Sequence, residues 1–151
     1  MPPDLLAYLL AAAVRLSGYP AIALEELPII LRLPPAELAA HSCPKQSQQC
    51  AGVAAAFEPG EYVIYLRDNL DLEDTADNSF LVHELVHVLQ WKRDGDVVFG
   101  DCERALDTER EAYRVQNAYL RREGRLARYG HALLFASCAG MQPMMHGPKG
   151  D

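Results

Sequence analysis

The chain has 151 residues, half of them hydrophobic, with 14 basic and 21 acidic side chains for a formal net charge of -7. That length fits one domain around one core, expected over residues 1–140, and nowhere do the roughly 18 consecutive apolar residues of a membrane span occur. The acidic balance sets nucleic acid aside as a partner.

Leu6, Leu9, Leu10, Ala13 and Leu16 recur at helical spacing, and Gly18 with Pro20 stops the segment. This predicts a helix over residues 4–17 with Asp4 as its N-cap. The same apolar stretch followed by Ala21-Ile22-Ala23 superficially resembles an export signal. Against that reading, Met-Pro-Pro-Asp carries no positive charge and Arg15 interrupts the run. Residues 29–33 form a β-type run, stopped by Pro34-Pro35, and 36–40 supply one or two helical turns.

Residues 53–57 and 61–67 flank Glu58-Pro59-Gly60, which reads as a hairpin closed by a type II or related turn. Tyr62, Ile64 and Leu66 alternate with Val63, Tyr65 and Arg67, so a small antiparallel or mixed sheet is expected. The acidic stretch 68–77 lacks the glycine and closing glutamate of an EF-hand loop. It reads instead as a solvated loop ending in the helix caps Asp74, Thr75 and Asp77. A helix over 78–92 is apolar nearly all round and is therefore buried.

After a break at 95–100, a helix over 103–122 ends at Gly124. A last helix over 125–139 is expected to carry the stripe Leu126, Tyr129, Ala132, Leu133 and Ala136. Residues 141–151, with two Pro and two Gly, read as a loose tail that includes His146. The arginines at 104, 110, 114, 121, 122, 125 and 128 interleave with acids, the pattern of a solvated face more than of a phosphate site. The predicted class is α+β.

Four cysteines permit three disulfide connectivities. The segment between Cys43 and Cys50, with Pro44 and polar residues at 45–49, looks like a small loop closed by a bridge. Cys102 would then pair with Cys138 and tie the C-terminal segment back. Four bridged cysteines favour export to the periplasm or the extracellular space; four reduced thiols in the cytoplasm are the alternative.

The segment His83-Glu84-Leu85-Val86-His87 lies inside the buried helix. Residues four apart share a helix face, so both imidazoles can address one zinc ion while Glu84 stands beside it. A catalytic zinc site usually has three protein ligands, and the next helix offers Glu103, Asp107, Glu109 and Glu111. At about 100° per residue, Cys102, Ala105, Leu106, Ala112, Tyr113, Gln116 and Leu120 all fall within about 60° of Glu109. Glu103, Asp107 and Glu111 lie beyond about 100° among the arginines, facing water. A carboxylate within an apolar stripe needs a positive partner, which His83, His87 and a metal would supply. An arginine, or protonation of Glu109, is the competing explanation.

His83-Glu84-Leu85-Val86-His87 together with Glu109-Arg110-Glu111-Ala112-Tyr113 resembles the gluzincins, zinc metallopeptidases whose glutamate ligand sits on a following helix. Gln90, completing His-Glu-x-x-His-x-x-Gln, is similar to small bacterial proteins of this type. The resemblance covers roughly residues 60–120 in detail. It implies a minimal zincin-like domain with His83, His87 and Glu109 as ligands, Glu84 as general base, and a peptide or protein as substrate. Where many relatives carry Asp after the Glu ligand, this chain has Tyr113, so the carboxylate that orients a ligand histidine is missing. Tyr113 is expected to replace it or to meet substrate, and Tyr113, Tyr119 and His131 are the candidate donors to a developing oxyanion. By analogy with zinc peptidases, an extended substrate would pair with an exposed edge of the 61–67 strand. A zinc-binding protein without turnover, serving binding or structure, is the alternative function.

Overall fold

The computed structural model describes residues 1–138. Helix α1 (Pro3–Ser17) starts on Pro2 and Pro3, with Asp4 in its first turn and not at the cap as expected. Proline suits that position because its missing N–H would have no helical partner there. The helix ends at Gly18, whose φ of 81° lets the chain turn out in the left-handed region. Strand β1 (Ile29–Leu33) leads into α2 (Pro35–Ser42) and then a turn of 3-10 helix, Ser47–Cys50.

Strands β2 (Ala55–Glu58) and β3 (Val63–Arg67) form the predicted hairpin, with Phe57 opposite Ile64. Its left-handed residue is Tyr62, at φ 55°, whereas Gly60 keeps a negative φ, so the turn is not type II. β1 pairs parallel with β3, Ile30 opposite Ile64, giving a mixed sheet in the order β1-β3-β2. The strand expected to offer a free edge is therefore the central one. Val63, Ile64, Tyr65 and Leu66 are all buried, and the sheet's edges lie on β1 and β2.

Helix α3 (Thr75–Asp94) begins at Asp74, whose carboxylate accepts from the Asp77 N–H at 3.0 Å. Helix α4 (Cys102–Arg122) begins in the same way at Asp101, which accepts from the Arg104 N–H at 2.9 Å. Each cap satisfies one N–H that the first turn leaves without a helical acceptor. α3 is the axis of the molecule, with every residue from Leu81 to Gln90 buried. α1 covers it with Leu9 and Ala13, α4 with Ala112 and Val115, and the sheet with Ile64 and Leu66. Removing a side chain such as Leu85 from this core would cost about 2–5 kcal/mol.

The helix expected over 125–139 does not form. Residues 125–130 are irregular, a 3-10 turn covers His131–Leu134, and Gly130 has φ 82°. The supposed apolar stripe does not share one buried face: Leu126 is 96% exposed and Ala132 is exposed, while Tyr129, Leu133 and Ala136 are half-buried. The chain instead crosses α3 and α4 as a strap held by polar bonds. Asn117 donates to the Tyr129 carbonyl and accepts from its N–H, both at 2.9 Å, and Arg125 reaches Asp74 at 3.0 Å. Both expected disulfides are present: Cys43–Cys50, and Cys102–Cys138, which closes the strap onto the start of α4. No helix among the described residues is long and apolar enough to cross a membrane. The expected tail at 141–151, with His146, lies outside the described residues.

Candidate metal centre

His83 and His87 stand one turn apart on the buried helix α3, and Glu109 faces them from α4. One oxygen of Glu109 is 3.0 Å from His83 Nε2 and the other is 3.2 Å from His87 Nε2. The ligand atoms of the three residues lie within 4.8 Å of one another, and the group could hold a metal ion. Neighbouring ligands of one small metal ion stand roughly 3–4 Å apart, a range that includes these separations.

The charges match a site built around a cation. Burial works to raise the Glu109 carboxyl, yet His87 and His83 hold it well below the ordinary carboxylate range. Burial works to lower His87, and the Glu109 carboxylate more than reverses this, lifting it to about 9. Even so, the buried Nε2 of His87 makes no proper hydrogen bond. The 3.2 Å contact with Glu109 leaves it short of hydrogen-bond geometry, and a metal held by the three residues would satisfy this nitrogen.

Glu84 lies beside the cluster, its Oε2 4.0 Å from His83 Nε2. Its Oε1 accepts the Phe57 N–H of β2 at 2.9 Å, which ties the carboxylate to the edge strand. Burial pushes the Glu84 carboxyl upward, against the pull of both histidines and with the push of Glu109. Because the Ala54 carbonyl is spent inward on Arg67 at 2.9 Å, alternation along β2 turns the backbone groups of Ala55 and Phe57 outward. Ala55 and the Phe57 carbonyl are thus directed toward the cleft.

That cleft has a volume of about 770 Å³, with the three ligands and Glu84 in its lining. One wall is β2 with the Cys43–Cys50 loop, and the other is the strap at Gly130, Ala132 and Leu133. Of the three expected oxyanion donors, Tyr113 alone lines the cleft, with its ring edge-on to His83 at 4.3 Å between centroids. Burial raises its phenol to about 12. Tyr119 is spent elsewhere, donating to Asn78 Oδ1 at 2.8 Å, and His131 lies in the exposed turn of the strap.

Sequence reasoning missed two contributors and the roles of two more residues that it had named. The Phe57 N–H is a backbone group and leaves no trace in side-chain spacing. Gly130 packs flat on Tyr113, where an added Cβ would collide with the ring. The other two are Gln90, whose Oε1 is 2.8 Å from His87 Nδ1, and Gln116, whose Oε1 is 3.0 Å from His83 Nδ1. Their signal was available: both are uncharged polar residues on otherwise apolar faces. Tyr113 meets His83 with its ring and is not what orients it.

Glu111, expected to face water, is a further correction. It accepts from Gln90 Nε2 at 3.0 Å and from the Tyr19 hydroxyl. The wheel placed it correctly relative to Glu109, but α1 and the following turn cover that side of α4 as well.

No curated protein and no solved structure matches the chain. A family model matches residues 15–143, a span that contains all four cysteines and every residue of the site. The chain therefore belongs to that family, described as a domain of unknown function (DUF6647).

Proposed function

We propose that this protein is a zinc-dependent peptidase of the gluzincin type with a minimal zincin-like fold, acting on peptides or proteins outside the cytoplasm. The observation that carries the reading is Glu84. A site that only held metal would need no second carboxylate, yet Glu84 is fixed by Phe57 beside the ligands and opens onto a peptide-sized cleft. Two imidazoles and one carboxylate are a donor set suited to zinc, and leave a position for water. When bound, zinc would polarise the scissile carbonyl and acidify that water.

The remaining work falls to residues of the chain. Glu84, with one oxygen held by Phe57, takes the proton of the attacking water on the other and delivers it to the leaving amine nitrogen. The outward backbone groups of Ala55 and the Phe57 carbonyl align an extended substrate by strand pairing. Tyr113 stands in the same wall as His83 and donates to the carbonyl oxygen as charge develops there. Two disulfides are compatible with an oxidising compartment.

The test is Glu84→Gln assayed on a mixed peptide library alongside zinc content. The variant should keep its zinc and lose at least about 10²–10⁴-fold in hydrolysis. Undiminished cleavage would refute the mechanism. Stoichiometric zinc with no cleavage by the unaltered protein would favour a binding or structural role.

A further inference from the structure

We propose that Gln90 and Gln116 are positioning residues that together set both histidines in the tautomer a metal requires. This rests on the metal reading of His83, His87 and Glu109. Each histidine is linked through a carboxamide to outer groups whose donor or acceptor roles cannot change. Gln90 Nε2 lies 3.1 Å from the Thr108 carbonyl and 3.0 Å from Glu111 Oε1, and both partners only accept. The amide nitrogen of Gln90 must therefore point there. Its Oε1, an acceptor, is the atom that meets His87 Nδ1 at 2.8 Å, so Nδ1 must carry the proton.

The second chain reaches the same result through a hydroxyl. Ser79 Oγ gives its single proton to the Ala76 carbonyl at 2.7 Å. It can then only accept from Gln116, whose Nε2 lies 2.9 Å away. That turns Gln116 Oε1 toward His83 Nδ1 at 3.0 Å, and again Nδ1 is the donor.

With Nδ1–H committed outward on both rings, Nε2 is the nitrogen left to face Glu109 and bind metal. Two carboxamides thus do what an orienting carboxylate would do, and Tyr113 is released to face the cleft. The chains differ in one respect. Gln90 is itself backed by Glu111, which also receives the Tyr19 hydroxyl, so a carboxylate stands one link behind His87. Gln116 ends on a neutral hydroxyl and a backbone carbonyl.

This asymmetry makes the proposal testable by zinc affinity, measured in competition with a chromophoric chelator. Gln90→Leu and Gln116→Leu should each weaken zinc binding about 10–100-fold, the cost of losing an outer partner of a ligand. Gln116→Glu should bind at least as tightly as the unaltered protein, because its carboxylate still accepts from His83 and Ser79 can turn to donate to it. Gln90→Glu should bind weakly, because it would set a carboxylate against Glu111 and the Thr108 carbonyl.

A purely packing role predicts the reverse order, with Leu tolerated and Glu disruptive at position 116. In the zinc-loaded protein, long-range proton–nitrogen NMR should show protonated Nδ1 on both histidines, with the affected proton exchanging faster in each Leu variant. If the unaltered protein binds zinc and the Leu variants bind equally well, or Nδ1 is unprotonated, the positioning role is wrong. If the unaltered protein binds no zinc, the metal reading itself fails and the proposal falls with it.

Discussion

Glu109→Gln keeps the side chain's size and removes its charge, and it should abolish most of the stabilisation that zinc confers. A structural zinc site binds with about 10–16 kcal/mol over four ligands, or roughly 2.5–4 kcal/mol per ligand. At about 1.4 kcal/mol per decade, removing one ligand weakens binding some 10²–10³-fold. Free zinc at about 100 times its Kd stabilises the native state by about 2.7 kcal/mol, which for a chain of this length raises Tm by about 5–11 °C. At the same zinc concentration the variant would stand at or below its own Kd. It would gain no more than about 0.4 kcal/mol, or less than about 2 °C. Differential scanning calorimetry with and without zinc reads the shift directly, so a changed baseline in the zinc-free variant does not confuse it. Asp107→Ala, on the same helix with its side chain 78% exposed, is the control and should retain the full shift. A full shift in Glu109→Gln, or an equal loss in Asp107→Ala, would refute the assignment of Glu109 as a ligand.

Gly130→Ala should lower Tm more than Gly124→Ala. Both residues have positive φ, costing about 1–2 kcal/mol for alanine, but only at Gly130 would the new Cβ meet a ring, that of Tyr113. Equal losses in calorimetry would show that the contact with Tyr113 gives way freely. The Tyr19 phenol, raised to about 12 by burial and by its bond to Glu111, gives a pH prediction. The unfolded phenol ionises near pH 10, so this contribution to stability is intact below about pH 10 and is lost as pH rises toward 12. Urea unfolding at roughly pH 9 and pH 11 should therefore show a smaller alkaline loss in Tyr19→Phe than in the unaltered chain. An unchanged loss would mean that Tyr19 titrates alike in both states.

What could be read in advance was whatever depends on local spacing. The His83, Glu84 and His87 trio follows from one turn of helix, and the inward direction of Glu109 from its phase among Ala105, Ala112 and Gln116. The limits came where a second element decides the outcome. Glu111 looks solvated on an isolated wheel, and only the approach of α1 with Tyr19 gives it a buried partner. Val63 to Arg67 alternates as an edge strand would, but parallel pairing with β1, across a connection of some thirty residues, makes it central. The strap carries a helical stripe and still does not fold as a helix. Asn117 takes the Tyr129 backbone groups, and Gly130 must lie against Tyr113, an approach that no side chain permits.

The Cys102–Cys138 bond closes 36 residues of chain, while Cys43–Cys50 closes 7. By loop-closure entropy the longer bridge is worth about 4 kcal/mol and the shorter about 2. The segment it secures has little apolar anchorage of its own, with Leu126, Leu134 and Phe135 each more than 70% exposed. Reduction would leave that wall held by a few solvent-competed polar contacts and by Gly130 and Tyr129 against the rings of Tyr113 and Phe80, while the metal ligands, seated on α3 and α4, stay in place. The two halves of the cleft thus answer to different chemical conditions: the ligand floor to the packing of helices, the strap wall to the thiol–disulfide balance of the surroundings.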